Sequence, residues 1–177
     1  ALSGPGQYKL AVGLEGTRIA DDWNFWLYPD QAPAAVPGQV LVTHSWDEAE
    51  QRLQSGGSVL YMPFKADLDW TSPPLADVPV FWNRLMSPGW GRMLGTWVDH
   101  KHPALAQFPT DAHHDWQGTE LGAGARAMTL DRLPRGLQPI VQPIDDWNRN
   151  YKLGLLFEAR VGKGRLMVST ADLENRL

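Results

Sequence analysis

The sequence of 177 residues contains no cysteine. That absence excludes disulfide bonds, thiolate catalysis and the commonest structural zinc sites, and it is compatible with cytoplasm, periplasm or secretion. The chain also lacks any run of Lys or Arg and carries a formal net charge of −4, so it has no electrostatic footprint for nucleic acid. It has no long apolar stretch and no polybasic segment, which argues against a membrane. We therefore expect neither nucleic acid nor membrane as a partner.

An initiating Met and a basic-then-apolar signal are absent from the first residues, Ala-Leu-Ser-Gly-Pro-Gly. This beginning indicates a segment of a larger polypeptide, with any targeting information upstream. The length suffices for one sizeable core and is short for two, so one domain is the default expectation.

Tryptophan is abundant. A Trp side chain has a large apolar face and one N–H donor, so it fills a core or holds a flat ligand such as a sugar. Packing is the first interpretation for any single Trp, because Trp is highly buried on average. The nine spread along the whole chain rather than along one helix face: Trp23, Trp26, Trp46, Trp70, Trp82, Trp90, Trp97, Trp116 and Trp147.

The hydrophobic pattern divides the chain near residue 30. Residues 8–12 and 17–28 predict strands, the second with aromatic side chains on both faces. Residues 29–37 are rich in Ala and Pro, have no apolar period and predict an extended linker. We therefore expect a β segment at residues 1–29 and an α/β domain at residues 30–177.

A βαβ unit is predicted next, with strands at 40–43 and 59–62 around a helix at 47–53. Ser45 or Asp47 is the expected cap, and Gly56 with Gly57 the expected stop. The later elements are strands at 93–98 and 139–144, short helical segments at 103–108 and 119–128, and an antiparallel hairpin of 151–161 with 165–170, since the connection at 162–164 is too short for a crossover. Together they predict a small α/β layer domain with a mixed sheet.

Several strings occur in an order and spacing that carry a resemblance. They are DWNFWLYP at 22–29, PVFWN at 79–83, LG at 94–95 leading to HPAL at 102–105, FPT at 108–110, PIVQPID at 139–145 and LLFEARVGKG at 155–164. This arrangement resembles the C-terminal region of large bacterial enzymes of glycoside hydrolase family 2, such as β-galactosidase-like enzymes, over nearly the whole chain.

The resemblance implies a non-catalytic accessory domain, structural or weakly carbohydrate-binding, that follows a sugar-cleaving domain. The catalytic glutamates of that family lie in an upstream barrel, so no catalytic residue is carried over to this chain. The resemblance also implies that residues 8–28 close a preceding β-sandwich, and that the α/β layer is a three-layer sheet of flavodoxin-like or glutamine-amidotransferase-like type. The implied partners are the upstream catalytic domain and an oligosaccharide or polysaccharide, the implied location is periplasmic or secreted, and no cofactor is expected.

Three loops that pair a Trp with polar side chains form the candidate carbohydrate site. Ligands of parallel α/β sheets lie at the carboxyl ends of strands, where we expect the loops at 84–92, 110–118 and 145–150. A stacking face beside planar hydrogen-bonding groups suits a sugar. The alternative is that these Trp residues cover the sheet or pack on the catalytic domain, as we expect of Trp23, Trp26 and Trp82. The candidate residues are Trp90, Trp116, Trp147, His114, Asp115, Asp146 and Asn148.

No catalytic dyad is evident. Asp21-Asp22 and Asp145-Asp146 are adjacent pairs, but neighbours in an extended chain point to opposite faces, so we expect solvated loop acids rather than the dyad of a retaining glycosidase. The alternative function is a free-standing hydrolase or amidase of amidotransferase-like fold, with a serine nucleophile and His44, His100 or His114 as base, although no Gly-x-Ser-x-Gly elbow occurs.

Histidines offer a possible metal site. His100 with His102, and His113 with His114, could converge from a strand end and a loop. Pro103 instead favours the start of a helix at that point, and ordinary loop histidines are the preferred interpretation. No metal is expected.

Overall fold

The computed structural model describes residues 4–30, 39–68, 70–75, 93–114, 116–146 and 149–174. Trp82 and four residues of the candidate carbohydrate site, Trp90, Asp115, Trp147 and Asn148, lie outside this part of the chain. The elements described are strands β1 (Gly6–Gly13), β2 (Ala20–Leu27), β3 (Val40–Thr43), β4 (Ser58–Tyr61), β5 (Gly95–Val98), β6 (Met128–Thr129), β7 (Pro139–Ile144), β8 (Leu153–Gly154), β9 (Leu156–Val161) and β10 (Gly164–Ser169), helices α1 (Trp46–Gln54) and α2 (Trp116–Gly122), and 3-10 turns at Lys65–Asp67 and Pro103–Leu105.

Strands β1 and β2 lie where the pattern predicts strands, and they form an antiparallel hairpin with its own two-stranded sheet. Tyr8 pairs with Phe25 and Leu10 with Trp23, so these apolar side chains share one face of the hairpin. That face is open, since Leu10 is 47% and Trp23 46% exposed. Trp23 therefore does not pack within the described part of the chain, and its packing on another domain stays a prediction. Trp26, on the other face of the hairpin, is half-buried.

The end of the hairpin is anchored on the loop that follows β5. The Tyr28 ring stacks on Phe108 at a centroid distance of 4.4 Å, and its hydroxyl donates to the Pro109 carbonyl at 2.8 Å. Asn24 donates to the Asp111 carboxylate at 3.3 Å. These contacts tie the hairpin to the rest of the protein, and the proposed division between residues 29 and 30 stays a prediction.

The main sheet has six strands in the order β3-β4-β10-β9-β7-β5. Strands β3, β4 and β10 are parallel, and each later neighbour is antiparallel to the strand before it. The βαβ unit and the β9–β10 hairpin agree with the hydrophobic pattern. A register shift interrupts the pairing of β7 with β9 between Pro139 and Val141, which is where a proline without an N–H donor disturbs a ladder.

The predicted three-layer flavodoxin-like or amidotransferase-like sheet is wrong. Of the described residues 39% are in strands and 15% in helices, with two α-helices beside the six-stranded mixed sheet and two small two-stranded sheets. A doubly wound fold needs a helical crossover for each parallel step. Here α1 supplies the crossover between β3 and β4, but β9 and β10 are joined by a tight turn, so the second half of the sheet is antiparallel.

Helix α1 covers one face of the sheet. Ser45 caps its first turn by accepting from the Glu48 N–H at 3.4 Å, and Gly56 ends it with a φ of 86°. Ala49 and Leu53, one turn apart on its inner side, are fully buried. They pack on Val59, Tyr61, Phe157, Leu166 and Val168, whose neighbours in each strand point to the opposite face.

Candidate functional site

An apolar cleft of about 320 Å³ lies on the sheet face opposite α1. Its floor consists of Leu60, Val141, Leu156 and Met167, one residue from each of four strands. The segment that follows β5 forms one wall through Leu105, Phe108 and Leu121, and the segment after β10 forms another through Ala171 and Leu173. The polar side chains at the cleft are Thr110, His114 and Ser169.

The position of His114 is set by strand-like pairing and by two glycines. The His114 N–H donates to the Thr96 carbonyl at 3.0 Å, which extends the sheet edge beyond β5. The imidazole lies against α2 at Gly118 and Gly122. A Cβ on Gly118 would collide with the ring, and a Cβ on Gly122 would lie 3.4 Å from its Cε1. Glycines four residues apart, on one side of the helix, therefore make room for this ring. The spacing of these two glycines is the feature of the sequence that could have indicated a side chain packed against this side of the helix.

Trp116 lies at the first position of α2 and is 79% exposed. Its neighbour Gln117 turns inward and donates to the Tyr28 hydroxyl at 3.4 Å. His114 and Gly118, two residues before and after Trp116 in the sequence, line the cleft, whereas Trp116 does not. Of the candidate residues, the structure places His114 in the wall of the cleft and Trp116 at the exposed start of α2, outside the cleft lining.

Asp146 is not at this cleft. Asp145 and Asp146 are 4% and 6% exposed, so the expectation of solvated loop acids is wrong for this pair. The Asp145 carboxylate accepts from the backbone N–H groups of Asp146 at 2.8 Å and Tyr151 at 3.0 Å, and from the Arg149 guanidinium at 2.5 Å. Asp145 therefore organises the turn that follows β7. Asp21 and Asp22 are exposed, as expected.

The histidines proposed as metal ligands are not placed together as a metal site in the described part of the chain. His102 accepts from the Ala104 N–H through Nδ1 at 3.2 Å and lies 3.5 Å from Glu158 through Nε2. His100 and His113 are exposed. Among the residues that the structure describes, no group of three His, Asp or Glu side chains is placed to hold a metal ion.

A second concave surface, of about 590 Å³, lies beside α1 on the other face of the sheet. Trp46 packs edge-on against Tyr61 at a centroid distance of 5.4 Å and stays 42% exposed. Burial raises the pKa of the Tyr61 phenol, and the charge of Asp67 raises it further. This surface was not among the candidate sites. The feature of the sequence that could have indicated it is Trp46, a large apolar side chain directly after the helix cap Ser45.

His44 lies where β3 ends, next to the end of β4. Its Nδ1 is 2.6 Å from the Met62 carbonyl oxygen, and its Nε2 is 3.1 Å from Glu174 Oε2. Phe64 stacks on the ring at 4.5 Å. The pKa of His44 is raised above its ordinary value of 6.5, first by the hydrogen bond to Glu174 and then by the bond to Met62.

Comparison with known families places most of the chain in one of them. Residues 41–177 match a family described as a domain of unknown function, DUF8487. The chain belongs to the DUF8487 family. No curated protein matches the chain. The matched residues include α1, nearly all of the six-stranded sheet and both walls of the cleft, and nothing in the match links DUF8487 to glycoside hydrolase family 2. No helix within the described ranges is long and apolar enough to cross a membrane.

Proposed function

We propose that this DUF8487 chain is a non-catalytic accessory module of a larger carbohydrate-active enzyme, and that it binds carbohydrate weakly through Trp116. The exposure of the Trp116 indole, 79%, is the observation that carries the proposal. An indole that lies mostly in water contributes little to a core and offers its flat face to the C–H groups of a sugar ring. The resemblance of the sequence to glycoside hydrolase family 2 supplies the ligand class.

The proposed ligand stacks on the outer face of Trp116 rather than entering the cleft. A sugar needs hydrogen-bond partners for its hydroxyls, and burying them against apolar side chains would cost free energy. The cleft is lined mainly by aliphatic and aromatic groups, so its interior does not suit a sugar. The outer face of Trp116 is open to water, which can solvate the hydroxyls that the protein does not bind.

The open face of the β1–β2 hairpin supports the accessory role. A two-stranded sheet is marginally stable alone, and this one presents Leu10, Val12 and Trp23 to solvent at 47%, 55% and 46% exposure. Contiguous apolar surface of this kind is typical of an interaction site. A neighbouring domain of the same polypeptide is the occupant that the resemblance suggests.

The hydrolase alternative is not favoured by the geometry around His44. Both ring nitrogens of this proposed base face oxygens of Met62 and Glu174 rather than a serine hydroxyl. The adjacent Ser45 hydroxyl accepts from the Glu48 N–H and caps α1. A nucleophile must lie within hydrogen-bond reach of its base.

The test is a titration of the whole chain with a panel of neutral oligosaccharides, observed through the indole N–H signals in an NMR spectrum. The Trp116 signal is assigned by its loss in Trp116→Ala. One stacking contact contributes on the order of 1 kcal/mol, so we expect binding in the millimolar range or weaker. The Trp116 signal should shift progressively with at least one sugar.

Trp70→Ala is the matched control, because Trp70 is as exposed as Trp116, at 85%, and lies in a different segment of the chain from α2. We expect this variant to retain the shifts of the remaining residues around Trp116, and Trp116→Ala to lose them while staying folded. No shift of the Trp116 signal with any sugar, or equal responses of the two variants, would contradict the proposal.

A further inference from the structure

The two hydrogen bonds of His44 require a particular charge state of its ring. The Met62 carbonyl oxygen and the Glu174 carboxylate can only accept, and they face Nδ1 at 2.6 Å and Nε2 at 3.1 Å. A neutral imidazole has one N–H, so it can satisfy one of these acceptors and must turn a lone pair toward the other. Only the imidazolium form donates to both.

His102 shows the contrast within the same chain. Its Nδ1 accepts from the Ala104 N–H at 3.2 Å, and its Nε2 faces the Glu158 carboxylate at 3.5 Å. The partner of His102 Nδ1 is therefore a donor, whereas both ring nitrogens of His44 face acceptors. The arrangement around His44 is therefore a specific feature rather than a general property of the histidines here.

His44 joins distant parts of the chain. Glu174 is 130 residues away in sequence, and it follows Ala171 and Leu173, which form one wall of the apolar cleft. Upstream of this wall, the Thr170 N–H donates to the Leu155 carbonyl at 2.9 Å and keeps the chain on the sheet. The His44–Glu174 bond thus fastens the far end of the wall to the point where β3 ends.

We propose that His44 is a pH-sensitive latch: the imidazolium holds residues 171–174 against the ends of β3 and β4, and its deprotonation releases Glu174 and loosens one wall of the cleft. This inference does not depend on carbohydrate binding.

The charged groups around His44 favour its protonated form. Glu174 bonds to the ring, and Asp172 on the same segment acts through its charge. Glu48 of α1 accepts from the Thr43 hydroxyl at 2.6 Å, and Asp67 accepts from the Phe64 N–H at 3.2 Å, so these two carboxylates face other partners. Because the folded-state pKa is raised, the stabilisation is complete below the ordinary value of 6.5 and is lost as the pH rises through the folded-state pKa.

The experiment measures two quantities on the whole chain between pH 5 and 9. The His44 titration is observed by NMR and assigned with His44→Gln, and amide hydrogen exchange of residues 171–174 is expressed as protection relative to the unstructured rate at each pH. We expect protection to fall about two- to fivefold across the His44 titration, the size typical of an exposed ion pair.

Three variants distinguish the latch from a merely structural histidine. Glu174→Gln should lower the His44 pKa toward 6.5 and move the loss of protection to lower pH, and His44→Gln should remove its pH dependence. His102→Gln should leave both the titration and the protection profile of residues 171–174 unchanged. The proposal is overturned if protection does not follow the His44 titration in the parent chain, or if Glu174→Gln leaves the His44 pKa unchanged. Since Glu174→Gln alters an exposed residue, this second arm holds even if His44→Gln does not fold.

Discussion

Removal of the Asp145 carboxylate should destabilise the protein far more than removal of an exposed carboxylate such as Asp22. The side chain is fully buried and accepts from two backbone N–H groups, of Asp146 and Tyr151, and from the Arg149 guanidinium. Asp145→Ala leaves all three donors without their acceptor. Water can resolvate Arg149, whose side chain is 37% exposed, so most of the cost comes from the two N–H groups.

The magnitude follows from those two donors. Each buried donor left without a partner costs about 1–3 kcal/mol, so we expect Asp145→Ala to lower the free energy of unfolding by about 3–5 kcal/mol in total. Asp145→Asn keeps one acceptor oxygen, for Asp146 and Arg149, but sets its NH2 group against the Tyr151 N–H, so it should cost about 1–3 kcal/mol and less than Asp145→Ala.

Urea unfolding followed by Trp fluorescence measures these changes, provided that the slope of the transition stays constant among the variants. Asp22→Asn is the control, because Asp22 is 53% exposed and its ion pair with Lys9 at 2.8 Å lies on the surface; its cost should be below about 1 kcal/mol. The reasoning is refuted if Asp145→Ala is no more destabilising than Asp22→Asn.

Two further predictions concern packing and the hairpin. Gly164→Ala should destabilise the protein by about 1–3 kcal/mol or more, because a Cβ there would lie 2.6 Å from Leu53 Cα and 2.8 Å from the Gly57 carbonyl oxygen. The control is Gly136→Ala, where a Cβ would have nothing within 4 Å and thermal stability should change little. Equal melting temperatures of the two variants would contradict the close approach at Gly164. Leu10→Ser should change the free energy of unfolding in urea by less than about 1 kcal/mol, since Leu10 is 47% exposed; a larger loss of stability would mean that this face is packed within the chain.

Local features of the sequence were enough to predict several elements. Ser45, the spacing of Ala49 and Leu53, and Gly56 define α1, and each of these signals acts within a few residues. The short connection at residues 162–164 likewise required β9 and β10 to be antiparallel. The alternating pattern of residues 8–12 and 23–27 predicted the N-terminal strands.

Tertiary structure decided how those elements are arranged and which side chains are available. The pairing of β10 with β4 brings residues 165–168 beside 58–61, and no local propensity encodes a contact across a hundred residues. For the same reason Asp145 could not be recognised as buried, nor His44 as a partner of Glu174, because both environments are built from segments that meet only in the folded sheet. Trp116 and Trp26 have the same chemistry in the sequence, yet one stands in solvent and the other packs, since burial depends on what the rest of the chain places above each ring.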